Sequence, residues 1–568
     1  MGNKKLAVGI SMLMLSGMLI GVYVVYHKKN TSSPSLEDSN QKSASSKAVE
    51  AICKPTDYKE TCQTTLSNAA GNITNPKDLI RIAFNVAIQQ VGDALNNMTV
   101  LKDAEADPRT KIAYENCHQL LQDSEEDLRH TVHRFDTFDL ENLDDYLADI
   151  KTWLSGALTF QGTCLDGFEN TTGDASEKMK QLLKVSGELT RNGLAMVDEF
   201  SKSLTTLDIN SFTGRKLLAS DGMPAWVDAG KRRLLHASNI SISFPTPAYN
   251  LTGTLTPNVV VAKDGSGDCK TITEALAKVP KKNKKPFVIF IKAGVYNEYV
   301  MVTKKMSNVV LLGEGPNMTR ITGNKNVVDG TPTFNSATFT VQANHFFARG
   351  IGFENSAGAA KHQAVAVRVT SDMAMFYQCN FDGYQDTLYA HAHRQFYREC
   401  QISGTIDFIF GDASAVFQNC TMIVRKPLEN QACMVTAQGR DERRENTGLV
   451  LQHCNIIPSP ELKASIEPVM VYLGRPWKLF SRTIILNSNI DGIVAPQGWA
   501  PWAGSFGLET SFYAELGNTG AGASTSKRVT WGGIKKINAL EASDFCASNF
   551  IRGNLWVKPT GLPYDSNI

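Results

Sequence analysis

Phe376-Tyr377-Gln378-Cys379-Asn380-Phe381, Tyr397-Arg398-Glu399-Cys400-Gln401-Ile402 and Phe417-Gln418-Asn419-Cys420-Thr421-Met422 are three versions of one pattern. An aromatic residue leads each, and a cysteine and then an apolar residue follow. The cysteines stand 21 and 20 residues apart, and Leu451–Ile456 and Leu486–Ile490 continue the pattern less regularly. Short runs rich in β-branched and aromatic residues surround it: Val259–Ala262, Phe287–Ile291, Val309–Leu312, Ala364–Val369 and Thr483–Leu486. Gly, Asn and Asp bound them, as they bound strands. A repeat of this length predicts a parallel β-helix, each coil stacked on the last at about 4.8 Å. Cysteines in one column of adjacent coils come within reach of disulfide geometry.

The repeat has a chemical consequence. Asp386 follows Cys379 by seven residues, and Asp407 follows Cys400 by seven. The two aspartates therefore share a column. Carboxylates so close cannot both ionise freely, so one pKa is expected to rise. Such a pair supplies an acid and a base, or an acid and a nucleophile. A structural Asn/Asp ladder is the other reading of the same spacing.

Upstream the chain changes character. Lys+Arg total 58 and Asp+Glu 56, a net charge of +2 that excludes a strongly basic nucleic-acid binder. The total hides a split: residues 51–210 carry 15 basic and 26 acidic residues, and 236–568 carry 32 and 25. The acidic part has helical periodicity over Asp78–Val100, Lys111–Phe135, Glu141–Leu158 and Glu177–Leu207, which predicts a four-helix bundle. Cys53 and Cys62 are close enough to staple a hairpin, and a Cys117–Cys164 bridge would tie the second long helix to the end of the third. His118, His130 and His133 lie on a charged helix without metal-ligand spacing.

Leu6–Tyr26 is 21 residues without a charge, flanked by Lys4-Lys5 and His27-Lys28-Lys29. It is long enough to span a bilayer and is read as a signal anchor, with a cleaved signal peptide as the alternative. Residues 30–48, rich in Ser, Lys and Asn, read as a linker. Eight N-x-S/T sequons and eleven cysteines suit the secretory pathway. Between the two halves, 211–247 reads as a linker with two basic-dileucine runs, Arg215-Lys216-Leu217-Leu218 and Arg232-Arg233-Leu234-Leu235. Such an exposed, loosely structured segment suits a processing protease.

Tyr384-Gln385-Asp386-Thr387-Leu388-Tyr389 and Asp407-Phe408-Ile409-Phe410-Gly411 resemble the two signature motifs of plant pectin methylesterases. Gly294–Glu298, Gln363–Arg368 and Leu473-Gly474-Arg475-Pro476-Trp477 are similar to three further motifs in family order. The resemblance runs from about residue 256 to 564. The four-cysteine helical part resembles the pectin methylesterase inhibitor domain. The resemblance implies an all-α four-helix bundle over 49–210, followed by an all-β right-handed parallel β-helix over 248–568. It implies an enzyme that removes methyl esters from homogalacturonan, leaving pectate and methanol.

By the same resemblance, Asp407 matches the nucleophile and Asp386 the proton donor and later base. Gln385 and Gln363 match the donors that stabilise the oxyanion. Arg475 matches the residue that orients Asp407 and, with Thr333, Gln363 and Trp477, contacts substrate. Tyr389, Phe410 and Trp502 are candidates for cleft walls or plain packing. Cys400 and Cys420 match a family disulfide. No cofactor or metal is expected, and the G-x-S-x-G elbow of serine hydrolases is missing from the sequence.

The expected partners are methyl-esterified homogalacturonan, a subtilase-type processing protease and separate inhibitor proteins. Nucleic acid is not among them, and a membrane enters only through the N-terminal anchor. The expected form is a monomer that passes through the secretory pathway to the cell wall, its precursor anchored in the Golgi. The rival functions are a pectin-binding or inhibitory protein, or another β-helix polysaccharide enzyme such as a lyase or glycosidase.

Overall fold

The computed structural model describes residues 34–98, 107–137, 142–169, 171, 173–206, 250–281 and 283–568. The apolar segment 6–26 and the seam 211–247 with both dileucine runs lie outside the described residues. Among the described residues, no helix is long and apolar enough to cross a membrane.

Among the described residues, six helices form the first part: α1 (Pro34–Cys53), α2 (Lys59–Ala69), α3 (Pro76–Asn97), α4 (Pro108–Asp136), α5 (Leu143–Gly167) and α6 (Ala175–Thr206). The last four are the long helices that the periodicity predicts. Their starts follow from local chemistry. Asn75 accepts a bond from the Lys77 amide ahead of Pro76, and Asp107 caps Arg109 and Thr110 ahead of Pro108. Both prolines occupy a first-turn position where the missing N–H costs nothing. Leu79, Phe84 and Val91 of α3 meet Leu121 and Leu128 of α4, Ile150 and Leu154 of α5 and Leu194 of α6 in one buried core.

The linker reading of 30–48 is corrected from residue 34 onward, because α1 occupies that stretch. Ser45, Val49 and Cys53, spaced at one helical turn, are buried. The Ser45 hydroxyl donates to the Gly71 and Ile73 carbonyls. One buried residue per turn among Ser, Lys and Asn is too sparse a stripe to stand out by composition. The disulfides Cys53–Cys62 and Cys117–Cys164 are both formed, tying α1 to α2 and α4 to α5.

The second part is a β-helix of three parallel sheets, with 11, 7 and 8 strands. One coil runs through Arg394–Arg398, Gln401–Gly404 and Ile409–Gly411. Its neighbours are in register: Phe376 pairs with Tyr397 and Tyr397 with Phe417, while Asn380 pairs with Gln401 and Gln401 with Thr421. The leading aromatics therefore stack inside the coil, with centroids 5.2 Å apart for Phe376–Tyr397 and 4.5 Å for Tyr397–Phe417. The residue before each cysteine turns the chain from one sheet to the next: Gln378, Glu399, Asn419 and His453 all have φ between 52° and 54°. The longer spacing from Cys420 to Cys454 is loop, inserted on both sides of the strand Cys433–Gln438.

Cys400 and Cys420 are not bridged, which corrects the expected disulfide. They belong to a buried column with Cys379 and Cys454. Each thiol faces carbonyls of its own and the preceding coil: Cys400 Sγ lies 3.5 Å from the Phe376 oxygen, and Cys420 Sγ 3.5 Å from the Tyr397 oxygen. The short helices Ala539–Ala542, Ala547–Phe550 and Gly553–Trp556 cover the outer face of the 11-stranded sheet, where Ile551 and Trp556 share an apolar cluster with Phe396, Val416 and Val450.

Removing one ring from the internal stack leaves a void that rigid neighbours cannot fill. Phe376→Ala is expected to destabilise the β-helix by about 3–5 kcal/mol, read as a lower urea midpoint for loss of its β-sheet signal.

Candidate active site

The site lies on the outer face of the seven-stranded sheet. Asp386 precedes the strand Leu388–Ala390 and Asp407 precedes Ile409–Gly411, and Leu388 pairs with Ile409. This register stacks the two aspartates one coil apart. Both have left-handed backbone, φ 64° for Asp386 and 53° for Asp407, at a turn where the chain enters the sheet. Such a conformation costs about 1 kcal/mol or more for a non-glycine residue and persists where surrounding structure imposes it.

Arg475 follows the strand Val471–Gly474, and its amide donates to the Thr436 carbonyl at 3.1 Å. Its guanidinium makes a bidentate pair with Asp407, Nε to Oδ1 at 2.9 Å and Nη2 to Oδ2 at 2.6 Å. The other face of the guanidinium lies 4.3 Å from the Trp502 ring centroid. Asp386 is buried like Asp407 but has no ion pair among the described residues. Burial raises the pKa of both carboxyls. Arg475 pulls Asp407 back toward ionisation, whereas the Asp407 charge pushes Asp386 further, well above the usual carboxylate range. The net shift is upward at both and larger at Asp386, so Asp386 holds its proton to higher pH than Asp407 does.

Gln363 and Gln385 meet as an isolated parallel bridge beside the pair. Thr333 sits on the short turn Thr333–Asn335 at the rim. Tyr389 and Phe410 stack at 4.3 Å, and Trp477 meets Phe410 edge-on at 5.9 Å. Gly439 makes room for Trp477, since a Cβ there would stand 2.8 Å from the indole. All the expected site residues, including Trp502, line one cavity of about 480 Å³.

The roof of that cavity comes from the helical part. Arg109, Ala113, Asn116 and Leu120 of α4 and Thr163 and Asp166 of α5 line it opposite the aspartates. Asn116 and Asn335 exchange amide bonds at 2.6 and 2.9 Å. The Thr159 hydroxyl donates to Asp412 at 2.7 Å, and Thr163 meets His391 at 2.8 Å. Ion pairs ring the contact with one polarity. Asp57 meets Arg443 and Arg444, Asp123 and Glu126 meet Lys304, Asp127 meets His393, Asp145 meets Arg552, Asp149 meets Arg394, and Asp166 meets Lys478. Only Arg191–Asp441 among these described pairs reverses the sign. The charge split between the halves was the one sequence signal for this surface.

His393 and Asp127 are both buried and 2.8 Å apart. Gly156 lets α5 pass, because a Cβ there would lie 2.3 Å from the Asp127 carboxylate. Burial lowers the His393 pKa, but Asp127, then Asp372, outweigh it and the net shift is upward. Burial, with the charges of Arg368 and His393, holds His391 well below the usual imidazole range.

Comparison with known proteins places this geometry in a family. Residues 258–554 match the Pectinesterase family model, and 47–196 match the Plant invertase/pectin methylesterase inhibitor model. The Arabidopsis thaliana protein named "Probable pectinesterase/pectinesterase inhibitor 58" is 46% identical over 575 residues, covering 100% of this chain and 98% of that protein. The Solanum lycopersicum "Pectinesterase/pectinesterase inhibitor U1" is 39% identical over 586 residues, covering 99% and 96%. The solved pectin methylesterase from carrot is 50% identical, covers 56% of this chain and 99% of its own, and superposes with a TM-score of 0.55. The chain belongs to the pectinesterase family, with an inhibitor-family domain ahead of the enzyme. Its activity is the hydrolysis of the methyl esters of pectin.

The two histidines predict how docking of the helical part responds to pH. His393, with its raised pKa, favours docking fully below the ordinary imidazole range, and this is lost as pH rises through the raised value. His391, lowered, weakens docking on the acid side, where it must give up a proton. After the seam is cut, affinity between the two parts should pass through a maximum near neutral pH. His393→Gln should remove the alkaline fall and weaken docking by about 3 kcal/mol, as for a buried pair that loses one partner. Titration calorimetry across pH reads both.

Proposed function

We propose that the ester is cut by an aspartyl-nucleophile mechanism in which the stacked carboxylates take different roles. The observation that carries this is their inequality: Asp407 is held by Nε and Nη2 of Arg475, and Asp386 has no ion pair among the described residues. Asp407 attacks the carbonyl carbon of a methyl-esterified galacturonate. Charge gathers on the carbonyl oxygen, where the amides of Gln363 and Gln385 donate to it without neutralising the nearby carboxylates. As the tetrahedral centre collapses, the C–O bond to methanol breaks and Asp386 gives its proton to the departing oxygen. An acyl-enzyme joins Asp407 to the sugar. Asp386, now ionised, takes a proton from water, and the hydroxide attacks the acyl carbon. The galacturonic acid leaves and gives its proton to solvent, Asp407 is regenerated as a carboxylate, and Asp386 keeps the proton it took from water. Trp477, with Thr333, Tyr389, Phe410 and Trp502, offers aromatic and polar wall to the sugar faces.

The helical part is proposed to act as a pro-region that restrains the enzyme. It roofs the cavity from which substrate must approach the aspartates. A subtilase-type protease of the secretory pathway would cut at Arg232–Leu235 or Arg215–Leu218 and release a basic enzyme into the cell wall. The segment 6–26 would hold the precursor to the membrane until then. A separate inhibitor protein of the same bundle type would compete for the same face.

Methanol release from methylated pectin tests the chemistry. Asp407→Asn is expected to lower it by about 10³-fold or more, Asp386→Asn by about 10²–10⁴-fold and Gln385→Ala by about 10²–10³-fold. Depolymerisation of the chain without methanol would contradict the reading. Cutting the purified full chain within 211–247 should raise its methanol release, and equal rates before and after would remove the restraining role.

A further inference from the structure

The segment 475–481 carries Arg475 and Trp477. It is a loop that joins the strand Val471–Gly474 of the seven-stranded sheet to Arg482–Leu486 of the eleven-stranded one. Three bonds fix it to the turn before it. The Arg475 amide donates to the Thr436 carbonyl at 3.1 Å, and the Phe480 amide to the Arg440 carbonyl at 3.0 Å. The third is made by a side chain: the Arg482 amide donates to Gln438 Oε1 at 2.7 Å. Gln438 ends the strand Cys433–Gln438 and is fully buried. Its Oε1 also accepts the Arg440 amide at 3.0 Å, and its Nε2 donates to Asp412 Oδ1 at 3.0 Å. One amide therefore ties together three successive turns between the two sheets, at Asp412, Arg440 and Arg482. Gly439, beside it, packs against the Trp477 indole. Gln438 itself is not among the residues that line the cavity.

The place asks for a side chain that accepts two backbone N–H groups and donates to a carboxylate, which an amide does. Glutamate has the same shape and keeps both acceptors, but it has no N–H for Asp412 and sets a second carboxylate against it. Leucine leaves the Arg440 and Arg482 amides without this acceptor in the interior, where an unmet donor is costly. We propose that Gln438 is a positioning residue for the esterase reaction: it holds the far end of segment 475–481 to the sheet and so keeps the Arg475 guanidinium on Asp407. The inference rests on the reading of Asp407 as an ionised nucleophile. Asp407 faces Arg475 in the bidentate pair and Asp386 one coil away. When Arg475 loosens, Asp407 loses the cation that favours its charge and is left with burial and a second carboxyl, both of which favour its proton.

Methanol release by the full chain, cut within 211–247, is followed across pH, with the urea midpoint of each variant measured beside it. Gln438→Leu should lower kcat/KM at neutral pH about tenfold and move its acid limb up by about one pH unit, since a nucleophile with less of its cation keeps its proton longer. Gln438→Glu, which preserves shape and both backbone acceptors, should move the limb the same way. Joining Gln438→Glu to Asp412→Asn restores the bond with donor and acceptor exchanged. The double variant should return to within about threefold of the wild-type rate, with the limb back in place. A merely stabilising residue would change the urea midpoint and leave the limb where it was. An unmoved limb in both single variants, or a double variant that recovers its midpoint but not its limb, overturns the proposal. Methanol release at the wild-type rate by Asp407→Asn would instead overturn the nucleophile reading beneath it.

Discussion

Everything in the catalytic half depends on parallel coils stacking in register. Each residue of one coil lies about 4.8 Å from its counterpart in the next, so a repeat in sequence becomes a column in space. One such column is aromatic and forms the internal stack. Another holds four thiols. A third puts Asp386 over Asp407, at turns where φ is positive. A pair of carboxylates held that close and that deep would repel. The fold answers with one arginine, delivered two strands further along the same sheet, that reaches only one of them. The asymmetry between acid and nucleophile is thus a consequence of stacking plus a single unsymmetrical ion pair.

The helical half meets that surface by charge. Its net of −11 faces +7, from the counts over 51–210 and 236–568, and the contact resolves this into individual pairs between acids of the bundle and bases of the β-helix. Complementarity of this kind sets encounter and specificity more than total affinity. The buried part of the contact is different in kind. His393 lies between Phe160 and Trp153 and is bonded to Asp127, while His391 packs on Phe160 and is bonded to Thr163. The same positive surface, once uncovered, suits a polymer that becomes more anionic as its esters are removed.

Much of this was legible in the sequence for a definite reason. The cysteine spacing is local and periodic, so it fixes which residues share a column, and the aspartate pair follows without any knowledge of the fold's exterior. The four long helices were legible because their buried faces recur every turn. What stayed hidden was non-local or sparse. Thr159 and Asp412, or Asp127 and His393, are more than 250 residues apart and show no pattern until the two halves dock. Over 44–53, helix α1 buries only Ser45, Val49 and Cys53, too sparse a stripe to be distinguished from a linker. The thiol column allowed a bridge by proximity, yet its sulfurs find carbonyl partners instead.

Two stacked, buried carboxylates should differ in protonation because only one is held by Arg475. Carbon-13 NMR of the full chain labelled at aspartate carboxyls, titrated from acid to alkaline pH, reads this directly. One carboxyl should stay protonated well above the usual carboxylate range, and its signal should vanish in Asp386→Asn. A signal that persists in Asp386→Asn and disappears in Asp407→Asn, or a pair in which no carboxyl titrates above the ordinary range, would contradict this assignment of acid and nucleophile.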